Sequence, residues 1–179
     1  MHDFKGFEFM GDNVRSRLKS CGQNVKIYPL AKITQPHVVS LADNCRVADF
    51  VFIYGGECVE VGEYTDIQPH TVIWGGGTTI LGKRVSTGPG TVFLSATYSH
   101  DAGYKMVDGL GEGSTKTLGG RLIVGDDVYI GANSVIMPVK IGEGAVIGAG
   151  SFVNKDIEPW GIYVGSPAKK IGSRPHLER

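Results

Sequence analysis

The chain has 179 residues, 41% of them hydrophobic and 20% charged, the make-up of one water-soluble globular domain of ordinary size. Eighteen Lys and Arg balance eighteen Asp and Glu, so no net field draws nucleic acid or an anionic membrane to it. No apolar run approaches the ~18 residues of a membrane span, Met1-His2-Asp3-Phe4-Lys5 lacks the order of a secretory leader, and Cys21, Cys45 and Cys58 form no Cys-x-x-Cys pair, so reduced thiols in a cytoplasmic protein are expected.

The first predicted element is a short helix over Asp12 to Cys21, with Asp12 as N-cap candidate and Gly22 after its end. It makes residues 1–23 an N-terminal segment and helical cap over a sheet edge that would otherwise be open. Ile27, Ile33 and Val39 are then six residues apart, as are Val47 and Ile53. Val61-Gly leads on to Ile67 and Ile73, and Leu81-Gly to Thr87-Gly and Phe93, on the same six-residue step. Ile53 to Val61 and Ile73 to Leu81 are eight-residue steps, which read as two-residue corner insertions, the second within Trp74-Gly75-Gly76-Gly77. From about Leu94 to Arg121 the frame is lost over a stretch holding six glycines, and segment 95–121 is predicted as a long extruded loop. The frame returns as Val124-Gly, Ile130-Gly, Ile141-Gly and Ile147-Gly, with Ile136-Met137-Pro138-Val139-Lys140 one residue short. Residues 24–158 thus form the repeat region, and 159–179 a C-terminal cap and tail.

A six-residue period fits neither an amphipathic helix nor simple strand alternation. It fits one short flat strand plus a corner, three of which close a triangular coil of about 18 residues. Coils stack at the ~4.8 Å strand spacing, with aliphatic leaders inside and glycine, at 27 of 179 residues, taking corner conformations at little steric cost. The predicted class is all-β, a parallel β-helix.

Tyr129-Ile-Gly-Ala-Asn-Ser-Val, Ile141-Gly-Glu-Gly-Ala-Val-Ile-Gly-Ala-Gly-Ser, Asn154-Lys-Asp-Ile and Gly165-Ser-Pro-Ala-Lys together resemble the ending of the hexapeptide-repeat acyltransferases, within the branch of sugar O-acetyltransferases and xenobiotic acetyltransferases. The resemblance covers roughly residues 24–172. It implies a left-handed coil, a homotrimer with active sites between subunits, acetyl-CoA as co-substrate, no required metal, and a small-molecule acceptor of carbohydrate type. The implied reaction is direct transfer of acetyl to a sugar hydroxyl. N-acetylation of a nucleotide-linked aminosugar and O-acetylation of a chloramphenicol- or streptogramin-type xenobiotic are the alternatives.

His100, in Tyr98-Ser99-His100-Asp101 of the loop, matches the family's catalytic histidine by placement, and imidazole titrates near neutrality as a general base must. Asp101 is the candidate to orient it. By resemblance the backbone amides of Ala132 and Ala149, 17 residues apart, contact CoA, as do Asn154 and Lys155, with Lys169 and Lys170 toward its phosphates. Trp74, His70 and Tyr98 are candidates for the acceptor pocket, with Gly75-Gly76-Gly77 shaping it. Tyr129 stands where many relatives carry Trp. His37 reads as a half-buried repeat position, and His2 and His176 are terminal. No histidine set has the convergent spacing of a zinc site. A carbonic-anhydrase-type metalloenzyme, a non-catalytic scaffold and a sugar nucleotidyltransferase each lack a supporting feature.

Overall fold

A computed structural model describes residues 5–101, 103–107 and 109–175. His2 and His176 lie outside the described residues. The repeat builds a three-sided parallel β-helix. Its faces are sheets of six, eight and six strands, and a separate two-stranded hairpin stands apart from them. In each coil the chain crosses a first face (Val39–Leu41, Cys58–Val61, Thr78–Leu81, Arg121–Val124), a second (Arg46–Val47, Asp66–Ile67, Ser86–Thr87, Tyr129–Ile130) and a third (Phe52–Tyr54, Val72–Trp74, Val92–Leu94, Val135–Ile136). The leaders Ile33, Leu41, Ile53, Ile67, Ile73, Leu81, Ile130 and Ile147 are fully buried. Buried hydroxyls share that interior with partners: Thr65 donates to the Gly82 carbonyl at 2.7 Å and Ser151 to that of Gly148 at 2.6 Å. Burial pushes the Cys45 thiol up to about 11, so it stays neutral.

The coils are not uniform. Arg46 pairs with Asp66 and Val72 with Val92, 20 residues apart, whereas Tyr129 pairs with Val146, 17 apart. The extra residues of the early coils all enter at the corner between the third and first faces. That includes the first coil, where Pro36–Val38 forms a 3-10 turn and Leu41, not Val39, stands beside Val61. The expected six-residue step from Ile33 to Val39 is therefore corrected to eight. His37 is exposed rather than half-buried, because Pro36 takes the inward position of that turn.

The expected N-terminal helix is two 3-10 helices, Lys5–Phe9 and Gly11–Arg17, followed by a strand, Ser20–Cys21, that already pairs in parallel with Ser40 and Leu41. Parallel pairing thus begins ahead of residue 24. Asp12 does not cap: it pairs with Arg15 at 2.6 Å, and Val14 plugs the end of the core. At the other end Gly161–Val164 adds to the second face, and Lys169–Ser173 folds back on it antiparallel, ending the parallel stack. Among the described residues no helix is long and apolar enough to cross a membrane.

Glycine's role also differs from the expected one. The left-handed corner position is held mostly by other residues, Asn24, Asn44, Tyr64, Arg84, Asp127, His70 and Asn133 among them. Where a glycine does follow a leader, close approach favours it instead: a Cβ on Gly131 would lie 2.3 Å from the Ala149 nitrogen.

Candidate active site

The third-to-first corner gathers the irregular segments into one column. Tyr54-Gly55-Gly56, Trp74-Gly75-Gly76-Gly77, the long loop, Met137-Pro138 and Asn154-Lys155 succeed one another along it. The loop rises as a hairpin, Ala96–Tyr98 against Thr117–Gly119, and Arg121 is already back in the first face. Its root is riveted by backbone: Thr78 N–H donates to Gly120 at 2.6 Å and Gly120 N–H to Ser95 at 2.9 Å. Gly75 and Gly77 belong to this joint, since a Cβ on them would lie 2.5 Å from Ser95 Oγ and 2.3 Å from the Gly120 oxygen.

The hairpin divides the corner into two grooves. One, of about 430 Å³, is lined by Tyr54, Trp74, Gly75, Gly76, Leu94, Ala96, Thr97, Tyr98 and Thr117. The other, of about 390 Å³, is lined by Thr97, Leu118, Gly119, Met137, Pro138, Val139, Phe152 and Asn154. Thr97 stands in both. The structure therefore brings Trp74 and Tyr98 together on one side and puts Asn154 on the other, with exposed Lys155 next to it. Met137 and Phe152 were not singled out from sequence. Met137 directly follows the strand Val135–Ile136 at the short step, and Phe152 is the outward position of the next strand on that face.

His100 is exposed, two residues past Tyr98, and lines neither groove of its own chain. Asp101 does not hydrogen-bond to it among the described residues; its carboxylate faces Lys116 Nζ at 3.2 Å. Ser99, then Lys116, hold that carboxyl below its usual range. His70 sits on the opposite edge of the third face, stacked on Phe50 with centroids 4.9 Å apart, away from Trp74.

Ala132 and Ala149 lie at that opposite edge too, one above the other, with Ile130 paired to Ile147. Neither amide N–H finds an acceptor among the described residues. At the corner between the first and second faces, by contrast, side chains claim the equivalent donors: Asp43 accepts from Gln23 N–H at 2.7 Å and Asp126 from Lys83 N–H at 2.8 Å. Lys169 is exposed in the closing strand, and Lys170 pairs with Glu158 at 2.6 Å. Tyr129 is exposed on the second face.

Between the two edges, the outward column of the third face starts at Lys32 and is apolar from there on: Phe52, Val72, Val92, Val135 and Phe152, each half-buried. Among the described residues no group of three His, Cys, Asp or Glu is placed to hold a metal ion.

Comparison with known proteins agrees with this architecture. The family profile for the hexapeptide repeat of succinyl-transferase matches residues 121–155. The dTDP-4-amino-4,6-dideoxy-D-glucose acyltransferase of Escherichia coli is 31% identical over 158 residues, 87% of this chain and 82% of that protein. A chloramphenicol acetyltransferase of Klebsiella aerogenes is 54% identical, but over 56 residues, 31% of this chain and 27% of its own length. Among solved structures, a point mutant of AntD, an N-acyltransferase from Bacillus cereus, in complex with dTDP and coenzyme A superposes with a TM-score of 0.84 at 32% identity, covering 89% of this chain and 86% of that one. A hexapeptide-repeat acetyltransferase from Vibrio cholerae complexed with acetyl-coenzyme A gives 0.64 at 25% identity, covering 92% and 75%. With its stacked six-residue repeats, a hairpin loop at one corner and a relative matched along most of both lengths, the chain belongs to the hexapeptide-repeat acyltransferases.

Proposed function

We propose that the protein transfers an acyl group from an acyl-CoA thioester to the amino group of a nucleotide-linked aminosugar. The observation that carries this reading is the pair of grooves meeting at Thr97, one walled by aromatic and hydroxyl side chains, the other mostly apolar and ending at Asn154. Two substrates held on either side of one thin hairpin can meet at its wall. The acceptor class follows the relatives matched along most of the chain, which act on or bind dTDP-linked compounds. Transfer to a sugar hydroxyl, the expectation from sequence, is the second reading, favoured by the short, high-identity match to a chloramphenicol acetyltransferase.

The unclaimed N–H groups of Ala132 and Ala149 suit a thioester donor. Their small side chains let a pantetheine chain approach the backbone, and an amide there supplies a hydrogen bond to the carbonyl oxygen as it gains charge. Those amides and the hairpin stand on opposite edges of the apolar third face. If that face is buried between copies around a threefold axis, the loop of one copy lies over the amides of the next, and the site is complete only in the trimer. His100 then reaches a neighbouring copy. It accepts the proton that the attacking amine loses as the C–N bond forms, and returns it to the sulfur as the C–S bond breaks.

The test is release of free CoA from acetyl-CoA and longer acyl-CoA donors across nucleotide-linked aminosugars, free sugars and chloramphenicol, with wild type beside His100→Ala. Loss of His100 is expected to cost about 10²–10⁴-fold in turnover with donor binding retained. Equal turnover by the two proteins removes His100 from the mechanism. Turnover with free sugars alone replaces amine by hydroxyl as the acceptor.

A further inference from the structure

The groove on the Trp74 side carries more than a place for a sugar. Trp74 is 49% exposed, a large indole left open to solvent at the groove's edge. It is not loosely held: its ring packs on Tyr54 at 5.1 Å and on Phe52 at 5.7 Å between centroids, each tilted by 33°. Beside it the chain places Gly76, where an added Cβ would meet nothing within 4 Å, so the groove is open at that point. Tyr98 and Thr117, paired on the hairpin, also line the groove, and among the described residues no Lys, Arg, Asp or Glu does. A neutral groove with one fixed, open aromatic face is built for an uncharged flat ring, not for a phosphate.

We propose that the indole of Trp74, buttressed by Tyr54 and Phe52, is the stacking platform for the base of a pyrimidine nucleoside diphosphate, the carrier half of the acceptor. Base stacking on an aromatic side chain is tolerant of ring identity and depends on contact area. Tyr98 and Thr117, which line the same groove, supply the edge contacts, and the diphosphate stays outside it. The inference rests on the nucleotide-linked reading above and adds which part of the acceptor this groove recognises.

The probe is dTDP, titrated calorimetrically into the full chain as wild type, Trp74→Phe and Trp74→Ala, with inorganic pyrophosphate as the control ligand. Trp74→Ala is expected to weaken dTDP about ten- to a hundredfold, and Trp74→Phe by less, with pyrophosphate binding unchanged in both. The chain's two tryptophans are Trp74 and Trp160, so dTDP is also expected to quench indole emission in wild type and not in Trp74→Phe. If Trp74→Ala binds dTDP as tightly as wild type, the base lies elsewhere: the platform is overturned and the nucleotide-linked reading stands. If pyrophosphate displaces dTDP completely and its own binding falls in Trp74→Ala, the groove holds phosphate and the platform is again overturned. If wild type binds no dTDP yet acylates a free aminosugar, both readings fall.

Discussion

Lys116 Nζ lies 3.2 Å from the Asp101 carboxylate, tying the outgoing arm of the loop to the returning one directly beside His100. The same ammonium sits 5.4 Å from the Tyr104 ring centroid, and the Lys116 carbonyl accepts from Ser99 N–H at 2.6 Å. Asp101 is therefore a strut between the two arms of the loop, with the His100 charge also acting on its carboxylate.

That geometry separates two origins for a pH limb. The Asp101 carboxyl is depressed, first by Ser99 and then by Lys116. A depressed acid contributes its stability above its unfolded value, about 3.9, and loses it only as pH falls through the lower folded value. The strut thus does not titrate between pH 5 and 8, the range in which histidine side chains in general change charge. Asp101→Asn is expected to lower turnover by a few-fold at most and to leave a near-neutral limb of kcat/KM in place. A limb that moves or vanishes in Asp101→Asn would make the carboxylate part of the base.

The free amides give a second test with a built-in control. The register that stacks Ala149 on Ala132 stacks Ala132 on Pro89, and the coil before carries Pro69. Proline already fits this corner position, so Ala149→Pro removes one N–H without disturbing the coil. Melting should be nearly unchanged, while acyl-CoA binding weakens about tenfold, the worth of one hydrogen bond to a polar ligand. Unchanged binding in a folded Ala149→Pro protein would remove this amide from the donor site.

The stack of coils, the long loop and the C-terminal closure were legible in the sequence because buried leaders recur at six residues whatever their neighbours do. The missing residue at Pro138 was legible for the same reason. The first insertion was not. Val39 and Leu41 are both buried on one side of the same strand, so with alternation at two, steps of six and eight look alike. The stacking of every insertion on one corner was hidden too, because it depends on whole coils of 20 residues adding up, not on local pattern. The site suffered most. Trp74 and Tyr98 face one groove, but His70, grouped with them from sequence, turned out to sit across the third face, where only three-dimensional register could put it.

A glycine between coils and a glycine in a corner insertion should respond oppositely to a methyl group. Gly131→Ala drives a Cβ to 2.3 Å from the Ala149 nitrogen, backbone that cannot yield without parting two coils. Gly76→Ala meets nothing within 4 Å. Gly131→Ala is expected to fail to fold or to lose several kcal/mol, as overpacked interiors do, and Gly76→Ala to melt with wild type. Equal melting curves for the two would mean that adjacent coils have slack which the register does not reveal.

The shared-site arrangement makes a prediction that no single-chain site can meet. His100 stands at the edge that carries the loop, and Ala149 at the opposite edge of the third face. A site made from the loop of one copy and the amides of the next loses turnover in His100→Ala and, at acyl-CoA well below saturation, about tenfold in Ala149→Pro. Mixed oligomers of the two variants, however, contain some sites with both residues intact. Co-refolding or co-expressing the pair should therefore restore a measurable fraction of wild-type turnover, while a mixture of intact homo-oligomers should not. A charge set into the apolar face, Val92→Glu, should abolish that rescue by blocking assembly and should lower the mass seen in solution to that of one chain. If the mixed variants gain nothing although mass measurement shows that they have assembled together, loop and amides do not serve one site. The donor would then have to bind within a single prism, beside Asn154.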